Sequence, residues 1–172
     1  MLLWDEVSPD SVKGHFRGYK IQTWVEGDED NVKEILMKSN SSKALVNKFT
    51  PDSMNFARIM AFNDRFSGPP SNTIQFETPE GVPSTVQSLQ AFPLGESAFL
   101  LQWKRPLLTN GKLQGYRIYY EVVKGTELGP RQEREPRILD PEIKQAKLAG
   151  LQANTKYRIH IVGFTNQGEG EE

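Results

Sequence analysis

The chain has 172 residues, 37% of them apolar, with 21 Lys+Arg set against 22 Asp+Glu and no cysteine. Near-balanced charge gives no overall field to draw in nucleic acid or an anionic membrane, and the lack of cysteine excludes disulfide frameworks, thiolate nucleophiles and Cys-based zinc sites. No run approaches the roughly 18 apolar residues of a membrane helix, and residues 1–10 show no basic region followed by an apolar one, so no membrane contact is expected of this segment.

In chain order, Trp4 comes first, followed by Gly14-His15-Phe16-Arg17-Gly18-Tyr19-Lys20-Ile21. The acidic stretch Glu26, Asp28, Glu29, Asp30 lacks the spacing and glycine placement of a calcium loop and reads as the exposed tip of a hairpin. Residues 30–37 alone have a helical look, and they are too few to hold a helix. Asn40-Ser41-Ser42 is the sole N-x-Ser/Thr triplet; it sits in a polar connection, where a glycan can project outward if the chain is secreted. Further on, Ala57, Ile59 and Ala61 alternate with Arg58 and Met60, the period of a strand buried on one face, and Asn63-Asp64 marks a tight turn.

The second half repeats the first. Trp103 is followed by Gly111-Lys112-Leu113-Gln114-Gly115-Tyr116-Arg117-Ile118, and residues 159–165 echo residues 57–63, each 102 positions on. A period near 100 marks a duplicated domain, since solenoid repeats run about 20 to 50 residues. Between the copies lies a short, semi-stiff linker, Pro79, Glu80, Gly81, Val82 and Pro83, in which two prolines fix φ and the residues set the angle between modules. The division expected is 1–78, linker 79–83, and 84–172. Inside each copy, short runs rich in aromatic and β-branched residues, such as 99–103, 116–123 and 157–164, are bounded by turn residues, Asn110-Gly111 among them. The fold class is therefore all-β, two antiparallel sandwiches in tandem.

Each copy resembles a fibronectin type III module, whose pattern is a Trp on the second strand, a Gly-Tyr opening the third, and Leu-x-x-x-x-x-Tyr before an alternating run. The second copy has Trp103, Gly115-Tyr116, and Leu151 six residues before Tyr157. The resemblance implies that Trp103 and Tyr116 fill the space between sheets and that the Tyr157 hydroxyl reaches back to the preceding connection. The first copy has Trp4 and Gly18-Tyr19, but Asn55 stands where the corner tyrosine belongs. An Asn buries far less area, so the first module is expected to be the less stable. Such a module needs about seven strands. Trp4 leaves no room for the first strand of module one and Glu172 comes before the last strand of module two, so the chain reads as a fragment with open sheet edges.

Residues that the fold does not demand are similar to the neuroglian and neurofascin group of neural cell-adhesion molecules: Gly14-His15-Phe16-Arg17-Gly18-Tyr19, Ala61-Phe62-Asn63-Asp64 followed by Ser67-Gly68-Pro69, the linker, and residues 110–116. This resemblance implies the extracellular part of a single-pass plasma-membrane protein, acting as spacer and protein-interaction module in cell adhesion and axon guidance. Its partners would be homophilic or heterophilic cell-surface proteins. The alternative is an intracellular scaffold or elastic spacer built from the same modules.

No catalytic, cofactor or metal site is expected. The only histidines, His15 and His160, fall in different copies, with His160 on the outward phase of its strand. Gly168-Glu169-Gly170 reads as the last hairpin. Arg131, Arg134 and Arg137 alternate with Glu133 and Glu135, which reads as a solvated loop, with a protein contact or protease-sensitive site the lesser reading. Lys33, Lys38, Lys43 and Lys48 give only a weak case for a sulfated glycosaminoglycan patch. Neither an Arg-Gly-Asp triplet nor a Trp-Ser-x-Trp-Ser box is present.

Overall fold

The computed structural model describes residues 1–47 and 49–172. Its contacts divide the chain into two compact units, Met1–Pro79 and Glu80–Glu172, whose regular elements among the described residues are β-strands apart from one 3-10 turn at Pro9–Ser11.

The first unit contains β1 (Leu2–Leu3), β2 (Phe16–Val25), β3 (Lys33–Lys38), β4 (Lys43–Ala44), β5 (Met54–Asn63) and β6 (Ile74–Glu77). The order β3-β2-β5-β6 makes one antiparallel sheet, and β1 and β4 pair as a second. The register sets Tyr19 opposite Ala61, Ile21 opposite Ile59 and Thr23 opposite Ala57. These are the inward phases of both strands, and Tyr19, Ile21, Thr23 and Ala57 are all buried. Residues 33–37, within the stretch that looked faintly helical, lie in β3, because pairing with β2 outweighs a short local propensity.

The second unit contains β7 (Gln87–Pro93), β8 (Ala98–Lys104), β9 (Gly115–Lys124), β10 (Glu127–Leu128), β11 (Gln132–Glu133), β12 (Gln145–Ala149), β13 (Lys156–Thr165) and β14 (Gly168–Glu169). Two sheets result, β12-β8-β7 and β10-β9-β13-β14, with β11 added to the edge of β9. Leu101, Trp103, Leu113, Tyr116, Ile118, Leu148, Leu151 and Ile161 form one buried cluster between them. Fully burying one such aliphatic side chain is worth roughly 1.5–3 kcal/mol, so the cluster is the main source of stability. The last strand, expected to be missing, is begun: Gly168 and Glu169 pair with Thr165 and Phe164.

The Gly-Tyr pair that opens the third strand of each copy has a steric reason. A Cβ on Gly115 would fall on the carbonyl of Ile138, and one on Gly18 on the carbonyl of Met37. Each glycine lets a neighbouring backbone approach, which delivers the following tyrosine to the core.

Candidate interaction surfaces

The aromatic residues read from the sequence as core differ in burial. Trp103 and Tyr116 meet edge to face at 5.3 Å and are 3% and 0% exposed. Trp4 and Tyr19 repeat the pairing at 5.5 Å, with Trp4 half-buried. Leu151 is buried, and Tyr157 is half-buried with its hydroxyl accepting from the Gln152 amide at 2.9 Å. These side chains pack in the cores of their units.

The segment expected as a linker is bound into the units. The Pro79 carbonyl accepts from the Asp52 amide at 3.0 Å in the first unit. In the second unit, Glu80 Oε1 accepts from the Lys112 amide at 2.8 Å, and the Gly81 amide donates to the Asn110 carbonyl at 2.6 Å. The Gly81 carbonyl accepts from the Thr165 hydroxyl at 2.7 Å, and the Val82 carbonyl from the Asn110 side chain at 2.8 Å. Pro83 is fully buried. Residues 80–83 thus belong to the fabric of the second unit, because their backbone groups find partners there that water would otherwise supply.

The outer face of the β9–β13 sheet carries a dense ionic layer. Arg117 and Arg131 each place a guanidinium carbon 5.2 Å from the Tyr119 ring centre, and the Tyr119 hydroxyl donates to Glu169 at 2.8 Å. Arg117 pairs bidentately with Glu133 at 2.7 and 2.6 Å and also meets Glu169, while Arg137 reaches Glu133 at 2.9 Å. Arg131 bridges Glu121 at 2.8 Å and Glu172 at 2.5 Å. The Arg117 guanidinium is the main cause holding the Glu133 carboxyl down to about 2. The hydrogen bond from Arg131 likewise lowers Glu121 and Glu172, and burial raises the Tyr119 phenol.

Two expectations change here. The loop read as solvated has all three guanidiniums engaged, since Arg134 donates to the carbonyls of Lys147 and Pro136 at 2.7 and 2.8 Å. His160 keeps its outward phase but is only 9% exposed, with Nε2 3.2 Å from Glu121 and Nδ1 3.3 Å from Glu172. Arg117, Tyr119 and Glu121 share the outward phase of β9, and that alternation was the available signal. What stayed hidden was the return of residues 131–137 over it.

On the first unit, the outward phase of β2 and β5 stacks Trp24 on Phe56 at 5.8 Å and 9°. The Arg58 guanidinium lies 5.2 Å from the Trp24 ring centre and donates to Gln22 at 2.8 Å. Beside the short β1, an open groove of about 840 Å³ is lined by Trp4, Tyr19, Ile21, Ala57 and Ile59 among others. The acidic stretch forms the β2–β3 hairpin tip, exposed throughout, and no group of three His, Cys or carboxylate residues converges on a metal position among the described residues. Asn40 is exposed in the turn after β3. Lys33 and Lys38 stand at opposite ends of β3, roughly 16 Å apart at strand rise, Lys43 lies in the other sheet, and Lys48 lies outside the described residues.

At the end of β5, Asn63 organises a tight turn. Its Oδ1 accepts from the Arg65 and Phe66 amides at 2.9 and 2.8 Å, its own amide donates to the Phe66 carbonyl at 3.0 Å, and Nδ2 donates to the Lys13 carbonyl at 2.5 Å. Arg17 pairs with Asp64 across the turn.

With paired sheets, an interleaved aromatic core and a corner tyrosine, residues 84–172 match the family described as Fibronectin type III domain. The chain belongs to that family. Over its whole length it is similar to Neuroglian of Drosophila melanogaster, 56% identical across 99% of this chain and 13% of the fly protein. It is also similar to Neural cell adhesion molecule L1 of Homo sapiens, 30% identical across 99% of this chain and 14% of the human protein. The resemblance to the neuroglian group, and within it to an insect neuroglian, is borne out. Among solved structures, the chicken CNTN1 FN1-FN3 domains are 20% identical, with a TM-score of 0.43, covering 98% of this chain and 55% of that one. The chain spans 13–14% of the length of these two curated relatives.

Proposed function

We propose that the chain is an extracellular segment of a neural cell-adhesion receptor, two type III modules in tandem that act as spacer and protein-interaction surface in cell adhesion and axon guidance. The observation that carries this reading is similarity running through both units at 56% identity to Neuroglian. The tandem reading is supported by the recurrence in the first unit of the Trp–Tyr pair, the close-approach glycine and a β3-β2-β5-β6 sheet that parallels β10-β9-β13-β14. Its work is geometric and interfacial. Partners are cell-surface proteins, homophilic or heterophilic, and in the parent protein a single membrane pass lies elsewhere. Pro79 and the anchored residues 80–83 form the joint between modules. Asn40, exposed beside the edge strand β3, carries an N-linked glycan.

Attachment of dissociated neurons to a surface coated with the chain tests the reading. Attachment above that to a coated, unrelated type III pair is the expected result, and none above that background would reject it.

A further inference from the structure

The Asn110-Gly111 step lies where the fold calls for both residues. Asn110 holds a positive φ of 53°, a conformation that asparagine tolerates better than most side chains. A Cβ at position 111 would come within 2.8 Å of Glu80 Cγ, in a side chain whose carboxylate is fixed on the Lys112 amide. Asn110 in turn holds residues 80–83. Its carbonyl accepts from the Gly81 amide at 2.6 Å, and its Nδ2 donates to the Val82 carbonyl at 2.8 Å.

The same pair is a chemical weak point. The backbone nitrogen that follows an asparagine can close on its carboxamide when that nitrogen is unhindered, and glycine puts no side chain in the way and leaves the backbone free to turn. Among the described residues the Gly111 amide makes no hydrogen bond, and no donor holds Asn110 Oδ1. Both residues are half-buried, and Leu108 and Lys112 beside them are exposed, so water reaches the turn. No other asparagine in the chain is followed by glycine.

We propose that Asn110 is a site of spontaneous deamidation whose product loosens residues 80–83 within the second unit. The Gly111 nitrogen bonds to Asn110 Cγ as the Cγ–Nδ2 bond breaks; the attacking nitrogen gives up its proton, and Nδ2 leaves as ammonia. Water then opens the five-membered imide at either carbonyl. One opening leaves an aspartate, the other an isoaspartate whose main chain runs through Cγ and is one carbon longer. Neither product has an N–H to offer the Val82 carbonyl, and each adds a negative charge beside Glu80, which lies against Gly111. The isoaspartate also shifts the carbonyl that holds the Gly81 amide. An anchor made of two hydrogen bonds thus becomes a weaker one as the molecule ages.

Ageing the folded chain at neutral pH and physiological temperature tests the site. Peptide mass spectra should show conversion of Asn110 severalfold ahead of every other asparagine. Isoaspartyl methyltransferase should label the aged chain, and Asn110→Gln should lose most of that label. The added charge separates aged from fresh chain on an ion-exchange column. Hydrogen exchange at the Gly81 amide should then run roughly tenfold faster in the aged fraction, the size of one lost hydrogen bond. Asn110 left intact while other asparagines convert, or converted only after the chain is unfolded in urea, would overturn the site. Conversion with Gly81 exchange unchanged would overturn the loosening.

Discussion

The backbone amide of Thr50 donates to Asn55 Oδ1 at 3.2 Å, which is the same five-residue reach-back that the Gln152 amide makes to the Tyr157 hydroxyl at 2.9 Å. Asn55 is 2% exposed, and its Nδ2 donates in turn to the Thr50 carbonyl at 2.9 Å and to Thr78 Oγ1 at 3.1 Å. The corner of the first unit is thus closed by a compact carboxamide, where the second unit uses a phenol on a long lever. Phe76, opposite Asn55 in the β5–β6 register, meets the Phe49 ring edge to face at 4.7 Å.

This substitution of means has a measurable consequence. Asn55→Ala strands the Thr50 amide and removes a bond from Thr78, so it should cost about 2 kcal/mol, while Tyr157→Phe loses one hydrogen bond and should cost about 1 kcal/mol. Urea denaturation of each variant reads both, and an Asn55→Ala chain as stable as the wild type would refute the corner role.

The separate units should also differ. The first has a two-stranded second sheet and only a half-buried Trp4, against three strands and a 3%-exposed Trp103 in the second. Residues 1–79 expressed alone should melt below residues 80–172 expressed alone; the reverse order in calorimetry would contradict the packing argument.

Gly115→Ala should be among the most damaging single changes, because the new Cβ meets the Ile138 carbonyl rather than a side chain that can swing away. A loss of about 3 kcal/mol or more is expected, the scale of overpacking a rigid core. Gly125→Ala is the control: its Cβ finds open space, with only the positive φ of 62° opposing it, and should cost about 1 kcal/mol.

Acid should loosen the second unit. Glu133 has a folded pKa of about 2 against an ordinary 4.5, so its ion pairs contribute fully above the unfolded value and are lost as pH falls from about 4.5 toward 2. Glu121 and Glu172, also lowered by Arg131, act in the same direction. Thermal melts should show stability falling across that window, with Glu133→Gln less stable at pH 7 and less sensitive below it. Parallel pH profiles for the two chains would remove Glu133 from the account.

Asn40 should be modified in native material. Treatment with a glycosidase that releases N-linked glycans should lower the mass of the native protein and convert Asn40 to Asp, and Asn40→Gln should abolish the shift. An unmodified Asn40 peptide in mass spectra rejects the site.

How much was readable in advance follows from the range of each interaction. Trp103, Tyr116, Leu151 and Tyr157 were legible because a strand's two-residue alternation and the Gly-Tyr step are local; the first three are buried and Tyr157 is half-buried. Residues 80–83 read as a linker because prolines and a glycine look alike whether the chain is free or hydrogen-bonded to Asn110 and Thr165. The buried Glu121–His160 contact was hidden for a similar reason: alternation placed His160 outward, and only the return of Arg131 with Glu172 over it removes the water. Asn55 looked like a missing tyrosine because sequence shows a lost ring, not a gained set of carboxamide bonds.

Labelling of intact, unpermeabilised neurons with an antibody raised against residues 1–172 tests the adhesive account most directly. It predicts signal on the living cell surface, concentrated where cells touch; signal that emerges only after the membrane is permeabilised would contradict it.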